Sequence, residues 1–279
     1  MESSENKSTS KAALAPAPVS FYEKHKKVYI RDVKGWWDTW RWALVWITQI
    51  LFYVTPWLDW NGRQAVLLHL VERKFYLFGL VLWPQDVFYL ALLLIISAYA
   101  LFLFTAIAGR LFCGYACPQT VYTEIFMWIE NKLEGDRSAR MKLDKGPLTA
   151  RKFRIKATKH ALWIVIALWS GLTLVAYFTP VKELIAAFPF EFSGWEMFWT
   201  LFYAGFFYMQ AGFLREQVCK YMCPYSRFQG VMFDPDTLII TYDQERGEPR
   251  GARKKNADLA TSSQGDCVDC GLCVVVCPT

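Results

Sequence analysis

The stretch from Val87 to Gly109 carries no charged side chain and is long enough to cross a bilayer alone, since a hydrocarbon core takes about 20 apolar residues. That one run constrains the fold more than any other feature, because a helix apolar on every face needs lipid or a large core around it. The rest of the composition agrees with it. Hydrophobic residues make up 54% of the 279 and aromatics 17%, while only 20% are charged. Those charges fall in blocks between apolar runs, the pattern of a membrane protein.

Three further runs are near spanning length: Trp42 to Leu58, Ala161 to Thr179, and Phe198 to Leu214, the last with Gln210 as its most polar interior residue. The expectation is an all-α polytopic membrane protein with about four transmembrane helices arranged as two parallel hairpins. Gln64 to Pro84 is apolar but interrupted by Glu72-Arg73-Lys74, so it reads as a re-entrant or interfacial segment. Lys and Arg number 8 up to Arg41, 3 in 59–86, 11 in 110–160, 1 in 180–197 and 8 from Arg215 onward. By the positive-inside rule the three basic segments face the cytoplasm, with both termini on that side. The domains expected are a cytoplasmic tail at 1–41, a membrane domain at 42–235, a strand and linker at 236–265, and a cluster-binding segment at 266–279. In the tail, residues 1–20 read as disordered, whereas Trp36, Trp37 and Trp40 are placed for an interface.

The cysteines carry the chemistry. Cys267, Cys270, Cys273 and Cys277, followed by Pro278, have the Cys-x2-Cys-x2-Cys-x3-Cys-Pro spacing of bacterial ferredoxins. Three of these thiolates wrap one 4Fe–4S cluster, and in two-cluster ferredoxins the fourth serves the other cluster. A zinc site usually pairs two hooks at a distance instead. Farther upstream, Cys113-Gly-Tyr115-Ala-Cys117-Pro118 and Cys219-Lys-Tyr221-Met-Cys223-Pro224 repeat one another. Each lies beyond the cytoplasmic end of an expected span and follows a cationic residue, Arg110 or Arg215. With cysteines at i and i+4 on one helix side and a proline to end or redirect the helix, the two hairpins deliver four thiols to one membrane face. Such a set can close a tetrahedral soft-metal site or hold a cluster; small buried cysteines packing at span ends are the plainer reading.

The remaining segments read as supports. Val121, Ile125, Trp128, Ile129 and Leu133 recur at helical spacing, as in an amphipathic helix lying in the interface. Gly135 to Lys159 reads as a basic, solvated loop that meets anionic lipid headgroups rather than nucleic acid. Thr237 to Tyr242 reads as a short strand, and Glu245 to Gly265 as a polar linker. No glycine-rich phosphate motif is present. His25, His69 and His160 lie outside the expected spans, which disfavours a bis-histidine haem within the membrane. His160 reads as an interfacial residue or an accessory ligand, and Met209 and Met222 as packing residues or thioether ligands for copper.

At these motifs the chain closely resembles the FixG/RdxA/CcoG family of bacterial cytochrome c oxidase accessory proteins. The carrying stretches include FGLVLWPQDVFYLALLLI, GRLFCGYACPQTVYTEIFMWIENKLEGDRSARMKLDK, REQVCKYMCPYSRFQGVMFDPDTLIITYD and GDCVDCGLCVVVCPT. A looser resemblance links the Cys-x3-Cys-Pro hairpins to membrane quinol dehydrogenases of the NapH type. The family resemblance implies 4Fe–4S clusters, a cytoplasmic electron donor and reduction of Cu(II) to Cu(I). It also implies partners in copper import and in the biogenesis of cbb-type oxidases. It makes Cys113, Cys117, Cys219 and Cys223 the metal or redox site, and Cys267, Cys270, Cys273 and Cys277 the first ferredoxin motif. Family members continue into a second such motif, a further span and a β-sandwich-like domain. This chain is therefore expected to be a truncated form whose ferredoxin cluster lacks a fourth thiolate. Two other functions stay open: a quinol-linked electron-transfer subunit, and a non-catalytic copper-holding assembly factor.

Overall fold

The computed structural model describes residues 29–31, 33, 35–187, 194–252 and 264–276. The tail residues 1–20, His25, part of the linker and Cys277 lie outside the described residues. Helix α1 (Trp36–Val54) opens the described fold and passes into a 3₁₀ turn, Thr55–Trp57, at Pro56. Trp36, Trp37 and Trp40 are all exposed, as interface anchors are. Helix α2 (Val87–Ala108) follows the first run, and α6 (Ala150–Val175) the third. The fourth run is α8 (Gly194–Phe207) continued by a π-helical segment, Tyr208–Leu214.

Among the described residues two helices are both long and apolar enough to cross a membrane, Pro84–Ala108 and Ala150–Val175. In the first, mean hydropathy is 2.6 and none of the most apolar window is buried. Only its last turns meet protein, around buried Thr105; the rest is apolar all round and unburied, the surface that lipid covers, so the chain is a membrane protein.

The segment between α1 and α2 departs from the all-α expectation. It forms two small antiparallel sheets. Strands β1 (Asp59–Trp60) and β2 (Arg63–Gln64) make a hairpin. Strands β3 (Val66–His69), β4 (Lys74–Leu77) and β5 (Leu80–Leu82) make a meander in that order. The charged triplet that interrupts the apolar pattern falls at the β3–β4 turn, where Arg73 takes a positive φ of 56°. Buried Gln64 fastens this cap to the far end of α6. Its Nε2 donates to Ala176 O at 2.8 Å, and its Oε1 accepts from Val181 N at 3.0 Å, at the start of α7 (Val181–Ala186).

Two short helices, α3 (Leu111–Tyr115) and α5 (Arg137–Lys145), flank a long one, α4 (Pro118–Glu134). The expected amphipathic helix is α4: Thr120 through Glu124, Phe126, Met127, Ile129 and Glu130 are buried, while Trp128 is exposed. Phe126 stacks on Trp163 of α6 with ring centroids 5.1 Å apart, and Tyr122, Ile129 and Ala211 complete that core. The expected basic loop is also helical. It forms α5 and the first turns of α6, and it buries Arg140 and Lys159. Both are ion-paired with α4: Lys159 Nζ lies 2.6 Å from Glu134 and 3.5 Å from Glu130, and Arg140 lies 4.0 Å from Glu130. Cations that looked solvated in the sequence are the counter-charges of buried carboxylates.

Helices α6 and α8 pack face to face at Gly171. A Cβ there would stand 2.7 Å from Thr200 O and 2.9 Å from Ala204 N, so only glycine allows this approach, the small-residue contact common between membrane helices.

Candidate metal centre

Each Cys-x3-Cys-Pro motif begins where an apolar helix stops. Helix α2 ends at Gly109, whose φ of 55° turns the chain out of the helix. The π segment ends at Arg215, with φ 39° and ψ −115° beside −109° for Gly109. Gly109 and Arg215 each stand four residues before the first cysteine of their motif. The repeat therefore extends upstream of the cysteines, and the true counterpart of Arg215 is Gly109, not Arg110.

The two cysteines of a motif do not share one helix, as their i, i+4 spacing suggests. Cys113 lies in α3, while Cys117 is extended (φ −64°, ψ 126°) and caps α4. Cys219 lies in a second π-helical turn, Val218–Met222. Cys223 is likewise extended (φ −81°, ψ 112°) and caps α9 (Pro224–Met232). The following proline is the cause, because it bars the preceding residue from helical backbone angles. Both loops are closed the same way, by a hydroxyl three residues beyond the second cysteine. Thr120 Oγ1 donates to Cys113 O at 2.5 Å; Ser226 Oγ donates to Cys223 O at 2.9 Å and to Cys219 O.

The halves then cross. Helix α4, launched by the first motif, packs against the second half's π segment, and Gln119 Nε2 donates to Gln210 O and Arg215 O at 3.1 and 3.2 Å. Helix α9, launched by the second motif, packs against the first half's α2, where the Tyr225 hydroxyl meets Thr105 Oγ1. The chain after α9 caps α2 itself: Leu238 N donates to Ile107 O at 3.1 Å and Thr237 Oγ1 to Ala106 O at 2.8 Å. That pairing explains why Thr237–Tyr242 is not a strand. Its leading donors satisfy carbonyls that the helix end leaves open.

This exchange brings Cys113, Cys117, Cys219 and Cys223 into one electrostatically coupled set. Burial pushes the Cys113 thiol up, the Gln229 amide counters it, and Cys117 and Cys223 push it further. The Cys219 thiol is pushed up to about 11, first by burial and then by the charges of Cys117, Cys113 and Cys223. All four are half-buried and free of disulfides. Among the described residues no three His, Cys, Asp or Glu side chains stand close enough to hold a single ion. The four sulfurs have no carboxylate or imidazole among them, and cysteine thiolates are the ligands that a 4Fe–4S cluster takes. His160 is not part of the set: its Nδ1 lies 2.9 Å from the Tyr208 hydroxyl, within an aromatic cluster. Met209 and Met222 are exposed.

Beside the second motif, Arg215 Nη2 lies 2.7 Å from Glu130 Oε2, and the carboxylate is 1% exposed. Burial alone would raise the Glu130 carboxyl, but Arg215, Lys159 and Arg140 outweigh it and hold it below the usual carboxylate range.

The ferredoxin motif is built differently. Cys267 is half-buried, while Cys270 is exposed on the loop before α11 (Leu272–Val276) and Cys273 is exposed within that helix. Asp269 and Gly271 take positive φ values of 53° and 65°, which turn the loop tightly between the cysteines. Gly251 N donates to Cys267 O at 3.1 Å, and Arg246, in the short helix α10 (Gln244–Gly247), pairs with Asp266 at 2.6 Å.

Comparison with known proteins bears on all eight cysteines. Residues 90–135 match a 4Fe–4S binding domain, and Cys113 and Cys117 are the cysteines within that range. Residues 214–279 match a 4Fe–4S dicluster domain that contains the other six. The chain is 40% identical over 276 residues to the nitrogen fixation protein FixG of Rhizobium meliloti, covering 97% of this chain and 52% of FixG. It is 37% identical over 268 residues to the protein RdxA of Cereibacter sphaeroides, covering 92% of this chain and 55% of RdxA. The ferredoxin-type protein NapH of Haemophilus influenzae is 26% identical over 209 residues, or 66% of either chain. No solved structure matches.

Together the apolar helices, the thiol sets and these matches define a membrane iron–sulfur protein with 4Fe–4S domains. The chain belongs to the FixG/RdxA/CcoG family. It spans about half the length of the FixG and RdxA chains it matches.

Sequence reasoning finds the eight cysteines but misses Thr120, Ser226 and Gln229. Aligning the repeat beyond its prolines reveals the first two as paired hydroxyl residues. Nothing in the sequence marks Gln229, whose role arises from the crossing of the halves.

Proposed function

We propose that Cys113, Cys117, Cys219 and Cys223 together hold one 4Fe–4S cluster at the membrane face where the two halves cross, and that Cys267, Cys270, Cys273 and Cys277 serve the ferredoxin segment. The electrons are delivered to Cu(II), giving Cu(I) for assembly of a cbb-type oxidase. In this reading four helices span a bacterial inner membrane, with both termini and all eight cysteines on the cytoplasmic side, where a soluble donor reaches them.

One observation carries the assignment. The crossed fold brings the second half against the first motif, where Gln229 of α9 reaches the Cys113 sulfur, and both motifs fall within 4Fe–4S matches. When bound, such a cluster takes up and passes on single electrons. The residues of the chain do the rest. Thr120 and Ser226 fix the loops that present the sulfurs, and the half-buried setting limits water around them. Thiols whose pKa values are raised lose their protons on binding metal, which couples loading to pH. The reduced product, Cu(I), is favoured by sulfur ligands, so a sulfur-lined face suits the electron acceptor.

The test is anaerobic reduction of Cu(II) by the full-length protein in lipid nanodiscs. Cys117→Ala and Cys223→Ala should each abolish it, and unchanged rates in both would sink the copper assignment. The likeness to NapH favours a second reading, in which a quinol is the donor. Cluster reduction by added quinol, indifferent to copper, would support that reading instead.

A further inference from the structure

Gln229 is 2% exposed and lies in α9, downstream of the second motif. Its side chain reaches across to the first motif, where Nε2 donates to Cys113 Sγ at 3.0 Å. The equivalent position in the first half, ten residues after the first cysteine, is Thr123. Its hydroxyl turns back along its own helix, donating to Gln119 O at 2.6 Å, and meets no sulfur. The two halves therefore match in backbone and in hydroxyl clamps but not in what they offer the thiols.

We infer that Gln229 is a positioning residue for the redox centre: its amide donates to the Cys113 sulfur and sets the reduction potential of whatever group that sulfur ligates. The inference rests on the four-thiol cluster proposed above. An N–H···S bond withdraws charge from a ligating thiolate, and the reduced, more negative state gains more from this than the oxidised one. Hydrogen bonds to the sulfurs are among the levers that set iron–sulfur potentials, and outer partners of ligating side chains act this way generally. In a half-buried setting the bond is electrostatically stronger than in water. It also makes the centre asymmetric, since among the described residues Cys113 is the cysteine whose sulfur has a resolved side-chain amide donor.

The experiment compares Gln229→Leu with Thr123→Val in the purified full-length protein. Each variant is analysed for iron and acid-labile sulfide, then titrated with a redox mediator series and followed by electron paramagnetic resonance. Gln229→Leu should keep its iron and shift the reduction equilibrium of one cluster about tenfold toward the oxidised form, about 59 mV for one electron. Thr123→Val should leave the potential where it was. An unshifted potential in Gln229→Leu overturns the inference. So does loss of iron in that variant, because Gln229 would then be a structural support rather than a tuning group. If Cys117→Ser and Cys223→Ser retain the wild-type iron content, the four-thiol cluster itself fails, which is a different result from an unshifted potential.

Discussion

The two Cys-x3-Cys-Pro halves share a backbone and differ in how it is held. In both, a positive-φ residue ends an apolar helix, an extended cysteine precedes proline, and a hydroxyl closes the loop. In the first half the positive-φ residue is Gly109, which meets no conformational penalty there. In the second it is Arg215, which does, and which is retained by its ion pair with buried Glu130 and its Nε bond to Gly212 O at 3.1 Å. One half uses glycine to relieve the turn. The other uses a charged side chain to hold it. The duplicated loop is thus stable in two unlike surroundings, and the ion network on α4 belongs to the second half although it lies on the helix launched by the first.

Breaking that network should have the largest effect. Glu130→Ala leaves Arg215, Lys159 and Arg140 short of a buried counter-charge, a change that costs about 3–5 kcal/mol when one partner of a buried pair is removed. The loss would appear as a lower denaturant midpoint in detergent micelles, and a neutral variant would show that Arg215 needs no such restraint. Gly109→Ala tests the other half. Its Cβ would stand 2.9 Å from Ile239 Cγ2 and 3.2 Å from Leu238 O in a backbone region that side chains rarely adopt. Strain and overpacking together predict a loss of about 1–3 kcal/mol in the same assay, and an unchanged midpoint would contradict the tight capping of α2. The smallest effect is the pH dependence of Glu130. Its carboxyl is held below the unfolded value of about 4.3, so the stability it contributes is present above that pH and is lost as pH falls through its lower folded value. Glu130→Gln should flatten this acid limb in pH-jump unfolding measurements, whereas an unchanged limb would place the titrating group elsewhere.

Much of this fold is legible in the sequence because lipid leaves few options. An uncharged run such as Val87–Gly109 has to be a helix, and α2 follows it almost to the residue. The cysteine spacing names the chemistry for a similar reason, since ligand number and order are set by the cluster. What the sequence conceals is pairing. Arg140 and Lys159 look like loop cations because their carboxylate partners are on another helix. The strands of Gln64–Pro84 do not show because a strand meander with a charged turn has the same composition as an interrupted apolar helix. Thr237 and Leu238 look like strand residues because nothing local says that their partners are the last carbonyls of α2. The crossing of the halves is the extreme case: it depends on which helix each proline launches and on what that helix then meets.

The central claim is that both motifs serve one centre, and iron stoichiometry tests it most directly. Cys117→Ser and Cys223→Ser should each lose the four irons of one 4Fe–4S cluster, and the double variant should lose no more than either alone. Additive losses, eight irons in the double variant for four in each single one, would show two separate centres and contradict the account.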